Sequence, residues 1–144
     1  MQNLWPYASF ILGAIFALML QWVSYSLSFR KDQRREYWIR KLNSYQDFYQ
    51  YTTQIIELLD SKVSIPENVY WQYISFARKA AYDADFYDMT HPERTNKMKN
   101  ITLNLILLLP LEEHKNGLKN LQKEVEEIQE EFYKEEKLLI KENA

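Results

Sequence analysis

Residues 7–29 read YASFILGAIFALMLQWVSYSLSF, and the architecture of the chain turns on this run. Of its 23 residues, 18 are apolar or Gly; the five polar ones are Ser9, Gln21, Ser24, Ser26 and Ser28. At about 1.5 Å per residue a helix of this length reaches roughly 34 Å, enough for a hydrocarbon core of about 30 Å. Trp5 and Tyr7 stand at one end and Trp22 and Tyr25 near the other, where amphipathic rings favour the headgroup level. Residues 23–29 alternate polar and apolar side chains like a strand. An isolated strand in lipid leaves its backbone unpaired, so the helical reading prevails. The run is expected to be a single transmembrane helix preceded by a short external tail, residues 1–6.

Working outward, the charge distribution supports this expectation. Residues 1–29 carry no charged side chain, so all 18 Lys and Arg and all 20 Asp and Glu lie in residues 30–144. A cleaved signal peptide needs a basic region ahead of the apolar run, and that region is uncharged here. A buried core helix would need more protein around it than a 144-residue chain offers. The junction, residues 30–41, reads RKDQRREYWIRK and holds six basic residues against two acidic ones. Arg30, Lys31, Arg34, Arg35, Arg40 and Lys41 are expected at the membrane surface. Positive charge is retained on the cytoplasmic side, which places the N-terminus outside and residues 30–144 inside, most simply at a bacterial inner membrane. The absence of Cys agrees with a reducing compartment.

Beyond the junction the pattern is helical throughout, so the fold is expected to be all-α: one N-terminal transmembrane helix, then a cytoplasmic antiparallel bundle of about four helices. Trp38, Leu42, Tyr45, Tyr49, Thr52, Ile56 and Leu59 recur at alternating spacings of about four and three, a coiled-coil-like seam. Nothing interrupts the pattern from Phe29 to Asp60, so the first bundle helix is expected to continue from the span. Ser64-Ile-Pro-Glu67 has capping-box order, with Pro in the first turn. A second seam follows through Tyr70, Tyr73, Ala77, Ala80, Ala84 and Tyr87. Thr90-His-Pro-Glu93 repeats the start signal for a third helix striped by Met98, Ile101, Leu105 and Leu108. Pro110 ends that helix or opens the next. A fourth stripe runs Leu111, His114, Leu118, Leu121, Val125, Ile128, Phe132 and Leu139, unless Asn116-Gly117 delays the start to Leu118.

Short connections imply an up-down-up-down bundle, which returns residues 124–136 to the level of residues 30–41. That acidic run contains seven Glu and one Lys, so the basic junction would neutralise it.

Composition excludes most enzyme classes. No Cys is available as nucleophile or thiolate ligand, two Gly allow no phosphate-binding loop, and two His preclude a multi-histidine metal centre. A net charge of −2 gives no reason to expect nucleic acid. Asp83, Asp85, Asp88 and His91 cluster at the second interhelical turn, where Asp85 and Asp88 on one face would suit a hard cation. Solvated or capping side chains are the commoner outcome, although acids at a helix C-terminus oppose its dipole and call for a compensating partner. His114 falls on a seam and has no second His nearby, so it reads as a core residue. No metal, cofactor or catalytic residue is expected.

Two further features point to binding. Nine of the 11 Tyr follow residue 30, and Tyr and Trp supply large contact area at low entropic cost. Those off the seams, Tyr37, Tyr51 and Tyr82 together with Trp71, are candidates for a partner surface. Within the span Ser9, Gly13, Ala17, Gln21, Ser24 and Ser28 share one helix face, where small residues let two backbones approach and Gln21 can bond across. Self-association of the span is therefore expected. The function that follows is a non-enzymatic, membrane-tethered interaction module, an adaptor or regulatory subunit whose partners are the lipid bilayer, copies of itself and a protein at the cytoplasmic face. The alternative is an oligomerising effector that perturbs the bilayer, as in a toxin or an anti-phage defence system.

Overall fold

The computed structural model describes residues 5–61, 66–108 and 115–142, with side chains described for 13–61, 66–107 and 117–138. Ser64, Pro110, Leu111 and His114 lie outside the described residues, as do the side chains of Ser9, Leu108 and Leu139. Among the described residues the chain is all-α, with helices α1 (Trp5–Asp60), α2 (Glu67–Tyr87), α3 (Pro92–Leu108) and α4 (Lys115–Glu142) and no strand. It divides into two compact units, Met1–Trp38 and Ile39–Ala144.

α1 is one continuous helix, as expected where no Pro or Gly interrupts residues 14–60. Among the described residues, however, no helix is long and apolar enough to cross a membrane. The side chains of residues 7–12, the outer part of the apolar run, belong to the undescribed set.

The C-terminal unit is a helical bundle with antiparallel neighbours. Tyr45 of α1 reaches Asp88 just past the end of α2, whereas Tyr51, further along α1, packs on Tyr73 and Phe76, earlier in α2. Tyr70, near the start of α2, bonds the Leu105 carbonyl late in α3. Arg94, at the start of α3, meets Glu135 late in α4, and Tyr45 stacks on Phe132. These pairs place α3 against α2 and α4, and α1 against α2 and α4. The order around the bundle is therefore α1–α2–α3–α4, with α2 and α4 at diagonal corners.

The core is drawn from each stripe, with small rotations. α1 buries Tyr45, Phe48, Thr52, Ile55 and Ile56, together with Lys41 and Ser44. Tyr49, placed on the seam by its spacing, is only half-buried, and Phe48 takes the central position. Amphipathic Tyr tolerates the rim of a seam, so spacing alone chose the wrong neighbour. α2 buries Tyr70, Ile74, Ala77, Ala80, Ala81 and Ala84. Its inner face is thus mostly alanine, which brings neighbouring backbones close.

Proline stands at the starts of both α2 and α3. Pro66 itself is the N-cap of α2, with φ −57° and ψ 128° and no side-chain cap bond. Proline's fixed φ suits the entry, and its missing N–H removes a donor that would need a partner. Glu67 lies in the first turn and accepts a bond from Trp71 Nε1 at 3.2 Å. Pro92 opens α3 at the position where its missing N–H costs nothing. Thr90 gives its hydroxyl to Asp88. α4 passes through Asn116 and Gly117 without a break and buries Leu121, Val125, Ile128 and Phe132.

Candidate functional site

The described side chains of the N-terminal unit up to Phe29 form an exposed apolar helix surface. Leu18, Met19 and Leu20 follow one another at roughly 100° steps around the axis, and each is more than half exposed. Ten large hydrophobic side chains between Ile15 and Phe29 are between 45% and 72% exposed. Burying a side chain of this size is worth about 1.5–3 kcal/mol, so half-exposing ten of them forgoes an amount comparable with a domain's whole stability of about 5–15 kcal/mol. Gly13, Ala17, Gln21, Ser24 and Ser28 are exposed along one face of the same helix, and a Cβ added at Gly13 would meet nothing within 4 Å. Arg30, Lys31, Arg34 and Arg35 follow at once, all exposed. Tyr37, the first candidate for a partner surface, is 41% exposed and belongs to this unit.

The C-terminal unit is organised around a buried carboxylate. Asp88 caps the C-terminus of α2, its N–H bonded to the Ala84 carbonyl at 2.7 Å, and its side chain is fully enclosed. Tyr45 donates its hydroxyl to Oδ2 at 2.6 Å, Lys41 Nζ lies 3.0 Å from Oδ1, and Thr90 donates to Oδ1 at 2.9 Å. His91 Nδ1 is 3.1 Å from Oδ1 and Arg94 Nη1 is 3.6 Å from Oδ2. Glu135 closes the cluster from α4, 2.8 Å from Arg94, 3.6 Å from Lys41 and 3.7 Å from His91. Two carboxylates thus face two fixed cations, so the buried charge is balanced before His91 is counted.

The electrostatics follow from this geometry. Burial alone would raise the Asp88 pKa, but the hydrogen bonds from Tyr45, His91, Lys41 and Thr90 outweigh it and hold the group at about 2, down from 3.8. Tyr45 is pushed well above the ordinary phenol range by burial and then by Asp88. Arg94 is disfavoured by burial, yet Glu135 and Tyr45 leave its pKa raised. Its Nε is buried without a hydrogen-bond partner, the nearest carboxylate being Glu131 at 3.9 Å. Tyr70 is pushed up to about 12 by burial.

The acidic cluster at the second interhelical turn comes apart in the structure. Asp85 is turned onto Thr95 and Lys99 of α3, which lower its pKa, while Asp88 faces inward to α1. Among the described residues no group of three or more side chains could hold a metal ion. The partner demanded by an acid at a helix C-terminus is supplied instead by Lys41 and Arg94. Lys41, assigned from sequence to the membrane surface, is buried at 5% exposure and belongs to this hub; Arg40 donates to the Tyr87 hydroxyl at 3.1 Å. A signal for Lys41 was present: it stands four residues before Tyr45, in phase with the core stripe.

The partner-surface candidates of this unit divide. Tyr51 is half-buried against Tyr73 and Phe76. Trp71 and Tyr82 are 43% and 52% exposed and lie on one outward ridge of α2, with Ser75, Arg78 and Phe86 completing it. Tyr82 is flanked by Arg78 at 5.8 Å and Lys99 at 5.1 Å from its ring centre. No family model, no curated protein and no solved structure matches this chain.

Proposed function

We propose that the chain is a membrane-tethered helical module: residues 7–29 anchor it as a single span, the N-terminus faces outward, and the bundle works at the inner, cytoplasmic face as a non-enzymatic adaptor or regulatory subunit. The observation that carries this reading is the apolar exposure on every side of α1 from Ile15 to Phe29, ending abruptly at Arg30. Water is a poor solvent for such a surface, lipid a good one, and basic residues at its end suit the anionic inner leaflet. Arg30, Lys31, Arg34 and Arg35 serve that contact, with Lys41 withdrawn into the bundle. The adaptor reading is supported by Asp85, Asp88 and Glu135, which are spent on internal pairs, and by the aromatic ridge on α2.

Because the chain has no Cys, single-cysteine labelling tests both insertion and orientation. With Gln2→Cys and, separately, Lys134→Cys, an impermeant maleimide should label the first in intact cells and the second only after lysis. Release of the protein from membranes by alkaline carbonate would sink the reading.

The exposed stripe of Gly13, Ala17, Gln21, Ser24 and Ser28 favours a second reading, an effector whose spans assemble and perturb the bilayer. Loss of membrane potential on expression of the full chain selects it over the passive tether.

A further inference from the structure

The outward ridge of α2 is aromatic and basic. Trp71, Ser75, Arg78, Tyr82 and Phe86 recur at helical spacing along it, with Lys79 alongside. Of the acids of α2, Glu67 sits at the start of the ridge and accepts from Trp71, Asp85 is turned onto α3, and Asp83 is half-buried, so the stretch from Ser75 to Phe86 presents Arg78 and Lys79 without an exposed acid. The outward face of α4 has the opposite character. Between residues 123 and 131 it carries five Glu and one Lys, all exposed. Their described pairs within α4 are weak solvent-facing ones, Gln122 with Glu126 at 3.1 Å, Lys123 with Glu127 at 3.9 Å and Lys134 with Glu130 at 4.0 Å, while Glu131 at the edge lies 3.9 Å from Arg94 of α3.

The hub fixes how these two faces align. Asp88 and Glu135 share Lys41, His91 and Arg94, so they lie at one level of the bundle. α2 and α4 both run towards that level, so equal steps back along each reach equal heights. Nine residues before Asp88 is Lys79; nine before Glu135 is Glu126. Arg78 and Lys79 therefore stand level with Glu124, Glu126 and Glu127, and Phe86 stands level with Tyr133. Because α2 and α4 occupy diagonal corners, the two faces look away from each other and cannot meet within one chain.

We propose that the α2 ridge docks on the acidic α4 face of a second copy of this chain, head to tail, between bundles standing side by side with parallel axes. The charges then meet in register, aromatic Phe86 reaches Tyr133, and the contact repeats as a row or ring. The inference rests on the membrane-tether reading for its geometry, since copies held in one bilayer share a height and a direction.

The test uses full-length chains in membranes. One copy carries Ser75→Cys and the other, differently tagged, carries Gln122→Cys, at ridge and face positions of matching height. A short bismaleimide should join the two copies, and each variant alone should cross-link far less. Arg78→Glu with Lys79→Glu in the first copy should lower the yield about fivefold, the scale of two exposed ion pairs turned repulsive. Glu126→Lys with Glu127→Lys in the second copy should restore it. Equal Ser75–Ser75 cross-linking, a yield indifferent to charge reversal, or failed restoration with circular dichroism unchanged would overturn the proposal, as would Trp71 quenched by brominated lipid in place of cross-linking. Carbonate extraction of the same membranes separates the two claims: release of the chain refutes the tether, whereas retention without the cross-link refutes this surface alone.

Discussion

Replacing Asp88 with Asn removes one charge from the hub while keeping its shape. The carboxylate's pKa falls from 3.8 to about 2 in the folded chain. At about 1.36 kcal/mol per unit, its charged form is favoured by roughly 2 kcal/mol on folding. The variant also removes the fully enclosed carboxylate that Lys41 and Arg94, both almost fully buried, face together with Glu135. Breaking a buried ion pair from one side costs about 3–5 kcal/mol, and Asn still accepts the Tyr45 hydroxyl, so the expected loss is about 3 kcal/mol. Urea unfolding of the full chain in detergent, followed by the bundle's circular dichroism, should show the midpoint falling by roughly 1–2 M. The acid limb carries a second signature. A carboxylate whose folded pKa is depressed stabilises the fold above its unfolded value, and that contribution disappears as pH falls through the folded one. The parent chain should therefore lose about 2 kcal/mol between roughly pH 4 and pH 2 that Asp88→Asn never had. A change below about 0.5 kcal/mol, or identical acid limbs, would refute the hub as a source of stability.

Two other variants test separate features. Glu135→Lys should lower the bundle's melting temperature by roughly 5 °C or more, because it sets a third cation beside Arg94 and Lys41, whereas Glu131→Lys, half-exposed and 3.9 Å from Arg94, should change it little. Equal effects would show that acidity in general, not Glu135, matters. Gly13→Ile with Gln21→Leu should abolish cross-linking through cysteines placed in the span, and oligomers persisting at parental yield would move the contact to the bundle.

Much of the fold was legible because it is written in short-range periodicity. The bounds of α2 and α3, the unbroken α1, and the buried Met98, Ile101, Leu105, Leu121, Val125, Ile128 and Phe132 all follow from spacing and from Pro66 and Pro92. Phe48, Ile55 and Ile74 were missed because several neighbouring residues fit a repeat of three and four equally well, and only packing against a partner helix selects among them. The hub was not legible as a site. Tyr45 and Asp88 are 43 positions apart, and Arg94 and Glu135 are 41 apart, beyond any local pattern. What the sequence did carry was an unexplained acid at a helix end and a lysine in phase with apolar residues. Each was half of a pair whose other half only the fold supplies.

The alanine face of α2 has a mechanical consequence. Large interlocking side chains resist sliding between helices, and Ala77, Ala80, Ala81 and Ala84 offer few such teeth. Axial position along this surface must instead be set by polar pins: Tyr70 on the Leu105 carbonyl at one end, and at the other Asp85 on Thr95 and Lys99, followed by Asp88 on Tyr45 and Lys41. α2 thus behaves as a smooth rod held by three bolts. Withdrawing a bolt should let the rod creep or turn before the bundle comes apart, so the first sign of damage is a shift in helix register with helicity intact.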